Sequence, residues 1–225
     1  MSVSASQPAQ DLPRPRAVLF DWDNTLVDNW ETVRSGVNAA LASFGREPWS
    51  YDETRARLIT SLRDNFPKLF GPEWPRAMDV FYATFKARHL ETLKPLPGAA
   101  ALLDGLGGRG LYLGVVSNKT GPILRTEATH LGWDRHFRRI VGATDAKVDK
   151  PAPDPVFMAL DGSLIEAGPE VWLVGDAATD LECAYRAGCS AVLLRAAPPG
   201  PAEFGAYQPH LHVADCHDLA QVLGY

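Results

Sequence analysis

From residue 95 onward the chain alternates short apolar runs with helix-like stretches, and this alternation restricts the fold more than any other feature. Leu111–Val116, Arg139–Val141, Val171–Val174 and Ala191–Leu194 are separated by the helical patterns Gly121–Leu131, Pro155–Ala167 and Ala178–Ala187. Ala17–Phe20 is a similar run far upstream, and Leu211–Val213 reads as an edge strand before a helix over Asp218–Leu223. Strands joined through helices pair in parallel, and continuously apolar strands are covered on both faces. The expected fold class is α/β, a Rossmann-like doubly wound parallel sheet.

Residues 28–94 follow a different period. Asp28 and Glu31 resemble a capping box, after which Trp30, Val33, Val37, Leu41 and Phe44 recur at helical spacing. Ser50 and Glu53 form a second such pattern, opening a helix through Leu58, Leu62 and Phe66 that Pro67 and Phe70-Gly71-Pro72 break. A third helix carries Trp74, Met78, Phe81, Phe85 and Leu90 and stops at Pro95. The reading is a helical cap (28–94) inserted into a Rossmann-like core (17–27 and 95–225). A polar, Pro-rich disordered leader (1–16) precedes both.

Composition excludes some functions. The net charge of −5 comes without a basic stripe, which argues against a nucleic-acid partner. No apolar run approaches the roughly 20 residues of a membrane span, so no membrane association is expected. Cys183, Cys189 and Cys216 show neither a Cys-x-x-Cys pair nor a disulfide framework. Free thiols suit a cytoplasmic protein, expected as a monomer or homodimer.

Ligands in such sheets sit beyond the carboxyl ends of the strands, and four polar clusters fall there. Asp21 and Asp23 follow the first strand within Phe20-Asp21-Trp22-Asp23-Asn24-Thr25. Two carboxylates so close are costly to remove from water unless a cation or a reaction uses them. Ser117-Asn118-Lys119 follows the second strand, Lys150-Pro151-Ala152-Pro153 precedes a helix, and Gly175-Asp176 with Asp180 follows Val171–Val174. Carboxylates, a hydroxyl and a lysine brought to one edge are what phosphoryl transfer from a monoester needs. One carboxylate attacks phosphorus, Mg²⁺ takes oxygen ligands, and fixed donors neutralise charge on the transferring group.

Asp-x-Asp-x-Thr, Ser-Asn, Lys-Pro-x-Pro and Gly-Asp-x-x-x-Asp, in that order, resemble the motifs of the haloacid dehalogenase (HAD) superfamily. The layout is similar to its helical-cap, phosphoglycolate-phosphatase-like members. The resemblance implies Asp21 as nucleophile and Mg²⁺ ligand, and Asp23 as general acid/base whose backbone carbonyl also binds the metal. It implies Ser117 on the phosphoryl oxygens, Lys150 as charge balance, Asp176 completing the metal site, and Asp180 orienting a metal water or Lys150. Thr25, Asn118 and Lys119, with Arg63 or Lys68 from the cap, are the expected substrate contacts. Trp22 departs from the usual Phe, Asn24 from the usual Gly, and Ala177 from a frequent Ser or Thr. Asp23 favours hydrolysis of a small phosphorylated metabolite, such as 2-phosphoglycolate, over dehalogenation or phosphonate cleavage. A phosphomutase, a non-catalytic phosphate-binding protein and a phosphoryl-accepting receiver are the alternatives.

Overall fold

The structure, a computed structural model, describes residues 12–58 and 62–224, with the side chains of residues 63 and 64 outside that description. The chain divides into two compact units, Asp28–Lys94 and the residues on either side of it.

The outer segments build one parallel sheet. β1 (Ala17–Phe20) is its centre; β2 (Val27–Asp28) and β3 (Lys94–Pro95) form a separate two-stranded ribbon where the chain leaves and rejoins this unit. β4 (Tyr112–Thr120), β5 (Arg139–Ala143), β6 (Val171–Gly175), β7 (Ser190–Leu194) and β8 (Leu211–Val213) complete the sheet in the order β5-β4-β1-β6-β7-β8. The doubly wound α/β class read from the alternation is the one observed. Every residue of β1, β6 and β7 is buried, as continuous apolar runs require. β1 lies between β4 and β6, with Phe20 in register with Val115 and Val174. The chain order reverses on either side of β1, so the crevice that such sheets use for ligands opens at its carboxyl end.

β4 differs from its expected form. The strand was expected to end at Val116, but it continues to Thr120 through a register shift against β5 between Val116 and Thr120. Ser117, Asn118 and Lys119 therefore lie in a strand irregularity rather than in a turn, and such a bulge re-aims the side chains it carries.

The helical unit contains α1 (Trp30–Ser43), α2 (Tyr51–Arg57), α3 (Leu62–Phe70) and α4 (Trp74–Thr92). The Ser50–Glu53 capping box is present in both directions. The pattern at Asp28 is not a box: the Asp28 carboxylate accepts from the Trp30 N–H, while Glu31 pairs with Arg34. Pro67 does not end a helix but sits inside α3. Phe66 and Phe70, one turn apart, are buried and touch in a tilted pair, and Phe66 also meets Phe81 edge-on. Burying two such rings is worth several kcal/mol, enough to offset the roughly 3 kcal/mol that an interior proline costs.

The core helices are α5 (Ala99–Gly108), α6 (Gly121–His130), α7 (Asp154–Leu160), α8 (Ala178–Ala187) and α9 (Cys216–Leu223). α7 ends short of the expected 155–167: Asp161 leaves the helical region at ψ 128°, and Gly162 follows at φ +76°. Residues 1–11 of the expected leader lie outside the described residues. Its last residues are bound to the sheet: the Trp172 indole donates to the Pro13 carbonyl, and the Arg16 N–H to that of Glu170. All three cysteines are buried free thiols. Among the described residues, no helix is long and apolar enough to cross a membrane.

Candidate active site

The loop after β1 sets the site. Asp21 continues the ladder, its N–H donating to the Val174 carbonyl, and the next residues fold into a tight turn. The Trp22 carbonyl accepts from the N–H groups of Leu26 and Val27, and Asn24 lies at φ +61°. That left-handed conformation disfavours most residues, and Asn is among the few that adopt it readily. The departure from Gly at this position is therefore tolerated. Thr25 is fully buried, and its hydroxyl has no hydrogen-bond partner among the described residues.

Lys150 ties the loop after β1 to β4 and α8. Its ammonium donates to Asp21 Oδ1 at 2.8 Å, to Asp180 Oδ1 at 2.6 Å and to the Val116 carbonyl at 2.8 Å. Its backbone is fixed too, since Asn118 donates from Nδ2 to the Lys150 carbonyl. Burial works to strip the proton from Lys150, but Asp180 and Asp21 outweigh it and hold the ammonium charged well above the usual lysine range.

Asp180 has two functions at once. Oδ1 takes the Lys150 ammonium, while Oδ2 accepts the Ala177 N–H and so closes the first turn of α8. This approach requires Gly175: a Cβ there would lie 2.3 Å from the Asp180 carboxyl carbon. Gly175→Ala is thus expected to push Asp180 off Lys150, lowering stability by about 1–3 kcal/mol. A thermal melt would check this, and an unchanged Tm would remove the strict demand for glycine.

Asp21, Asp176 and Asp180 offer carboxylate oxygens within 4.8 Å of one another. Three carboxylates and one ammonium leave two negative charges in excess. The consequence is visible on Asp176, pushed up to about 8 by burial first and then by Asp180 and Asp21, against the smaller pull of Lys150. Burial likewise raises Asp180 to about 6 against the pull of Lys150. A set of hard oxygen donors carrying two excess charges suits a divalent cation such as Mg²⁺.

Asp23 belongs to a second, separate network. Lys119 Nζ lies 2.8 Å from Asp23 Oδ1 and 2.6 Å from Glu127 Oε2, and the Trp22 indole donates to the same Glu127 oxygen at 2.7 Å. Trp22 is fully buried edge-on against Trp133 and Phe137. Burial raises Asp23 to about 6; Lys119 opposes this, and Glu127 and Asp21 add to it.

Of the residues singled out in the sequence, Asp21, Lys150, Asp176 and Asp180 converge in one cluster and Asp23 stands in the other. Ser117 is buried beside them on β4, its hydroxyl accepting the Lys119 N–H. Lys119, expected on the substrate, has a side chain only 6 % exposed and turned to the two carboxylates. Asn118 is exposed and bonded to the Lys150 backbone. Lys68 is exposed on α3, and the side chain of Arg63 lies outside the described residues. Glu127 was missed. Its signal was its place on the apolar stripe of α6 with Ile123, Leu124 and Ala128, where an acid is out of pattern.

At its switch point this doubly wound sheet thus holds a lysine-clamped aspartate, a second acid two residues on and a carboxylate trio, an acidic site of the kind that binds a cation and an anionic ligand. Residues 18–194 match the sequence profile described as haloacid dehalogenase-like hydrolase. The chain is 30 % identical over 178 residues to a phosphoglycolate phosphatase of Xylella fastidiosa, covering 77 % of each chain. It is 29 % identical over 209 residues to a 5'-nucleotidase of Pseudomonas aeruginosa, covering 92 % of this chain and 94 % of that one. The crystal structure of a HAD-superfamily hydrolase from Ehrlichia chaffeensis superposes with a TM-score of 0.64 at 28 % identity, over 93 % of this chain and 96 % of that one. The chain belongs to the haloacid dehalogenase-like hydrolase family.

Proposed function

We propose that this hydrolase is a Mg²⁺-dependent phosphatase of small phosphate monoesters, working through an aspartyl-phosphate on Asp21. The observation that carries this reading is the separation of the two acids of one loop. Asp21 is bound by Lys150 through Oδ1, whereas Asp23 belongs to the Lys119–Glu127 network and keeps 28 % of its side-chain surface. One is held as a nucleophile and the other stands where it can exchange a proton.

In the first step an Asp21 oxygen bonds to phosphorus as the bond to the leaving oxygen breaks, and Asp23 gives that oxygen its proton. In the second, Asp23 takes a proton from water, which attacks phosphorus and releases inorganic phosphate and free Asp21. Lys150 compensates charge on Asp21 and the phosphoryl oxygens, and the Ser117 hydroxyl donates to those oxygens. Asp21 and Asp176 would hold the cation, with Asp180 beside them; when bound, it supplies electrostatic stabilisation of the transferring group.

2-Phosphoglycolate is the first candidate substrate, supported by the relatives named for that activity. Nucleoside 5'-monophosphates form the second class, supported by the Pseudomonas relative that matches over nearly the whole chain. Three free thiols suit a reducing cytoplasm. Phosphate release from a panel holding both classes, with Mg²⁺ and then with EDTA, tests the reading. Turnover of at least one monoester that EDTA abolishes is expected, and no release from any would overturn it.

A further inference from the structure

We propose that Lys119 is a positioning residue: anchored by Glu127 and Trp22, it fixes the Asp23 carboxyl in the orientation from which it transfers its proton. The inference rests on the reading of Asp23 as the proton carrier and adds three residues to it.

Asp23 bridges to Val27 at the base of the turn, and its side chain keeps 28 % of its surface. A misplacement of about 1 Å in a reacting group can cost a hundredfold in rate. Lys119 supplies such a constraint: its ammonium meets Asp23 Oδ1 at 2.8 Å. A lysine stem is flexible, however, and holds another group still only if its own end is held. Glu127 does this at 2.6 Å from a side chain with no exposed surface. Trp22 in turn fixes Glu127 through the 2.7 Å indole bond, and Trp133 and Phe137 meet Trp22 edge-on. The constraint thus runs from packed aromatic rings to the proton carrier, and it begins in the residue between the two acids. One feature distinguishes this from an ordinary buried ion pair: both its ends lie in the reacting loop, since Asp23 takes the lysine and the neighbouring Trp22 holds the glutamate.

The test uses leaving groups. Expulsion of an alkoxide needs the acid, whereas p-nitrophenolate leaves with little help, so the ratio of the two kcat/KM values reports Asp23 placement. For Lys119→Met, kcat/KM on an alkyl phosphate accepted by the wild type should fall roughly 100-fold or more, against less than about tenfold on p-nitrophenyl phosphate. A merely structural role lowers both by the same factor, and that result, or no fall in either, overturns the proposal. Should the charge left on Glu127 prevent folding, Lys119→Met combined with Glu127→Gln removes both charges and is read in the same way. Failure of the underlying phosphatase reading is separately visible, because the wild type would then release no phosphate from either ester.

Discussion

Asp21→Asn is expected, on the proposed mechanism, to abolish turnover, with phosphate release falling by roughly 10³-fold or more, because an amide would not replace the carboxylate as nucleophile. The fold should survive. Asn has the same shape, and Lys150 keeps its bonds to Asp180 and the Val116 carbonyl. The change also removes one of the charges that raise Asp176 and Asp180, which offsets part of the lost ion pair. Phosphate release with Mg²⁺ and a thermal melt on the same preparation separate the two effects. Mg²⁺-dependent release near the wild-type rate from a folded Asp21→Asn protein would falsify the aspartyl-phosphate mechanism.

How much of this was readable beforehand depended on whether the determining contact was local. The sheet was legible because each run, such as Val171–Val174, announces burial on both faces by its own content. The acids at the strand ends were legible because a carboxylate directly after a buried strand has few structural reasons to be there. Pro67 was misread, since α3 persists through tertiary burial of Phe66 and Phe70 that no local propensity reports. The β4 extension was missed for a similar reason: the register shift that carries Ser117 to Lys119 exists only against β5. Lys119 was read as a substrate contact because its place beside Ser117 and Asn118 was visible, while its partner Glu127 lay on another element. Trp22 was recognised as unusual, but its indole bond to Glu127 spans 105 residues of sequence.

On the proposed cation site, removing Mg²⁺ should lower stability as well as activity, and the loss of stability should depend on pH. In the metal-free protein Asp176 is raised to about 8, and Asp180 and Asp23 to about 6, from an ordinary value near 3.8. Below about pH 3 these groups are protonated both folded and unfolded and contribute no difference. As pH rises, the unfolded chain releases their protons first, so it binds fewer than the folded protein and stability falls. The fall runs from about pH 4 to 6 for Asp180 and Asp23 and continues to about 8 for Asp176. Lys150, raised rather than lowered, stabilises the fold below its unfolded value near 10.5 and is constant across this window. A divalent cation binds the ionised carboxylates and opposes the loss where it is greatest. At a concentration about 100 times its Kd, Mg²⁺ contributes roughly 2.7 kcal/mol, or about 5–10 °C in Tm for a chain of this size. Thermal melts with EDTA and with Mg²⁺ should therefore separate by that amount at pH 8 and by much less at pH 5. Equal melts at pH 8, or a wider gap at pH 5, would mean that the Asp21–Asp176–Asp180 cluster is neutralised by something other than a cation.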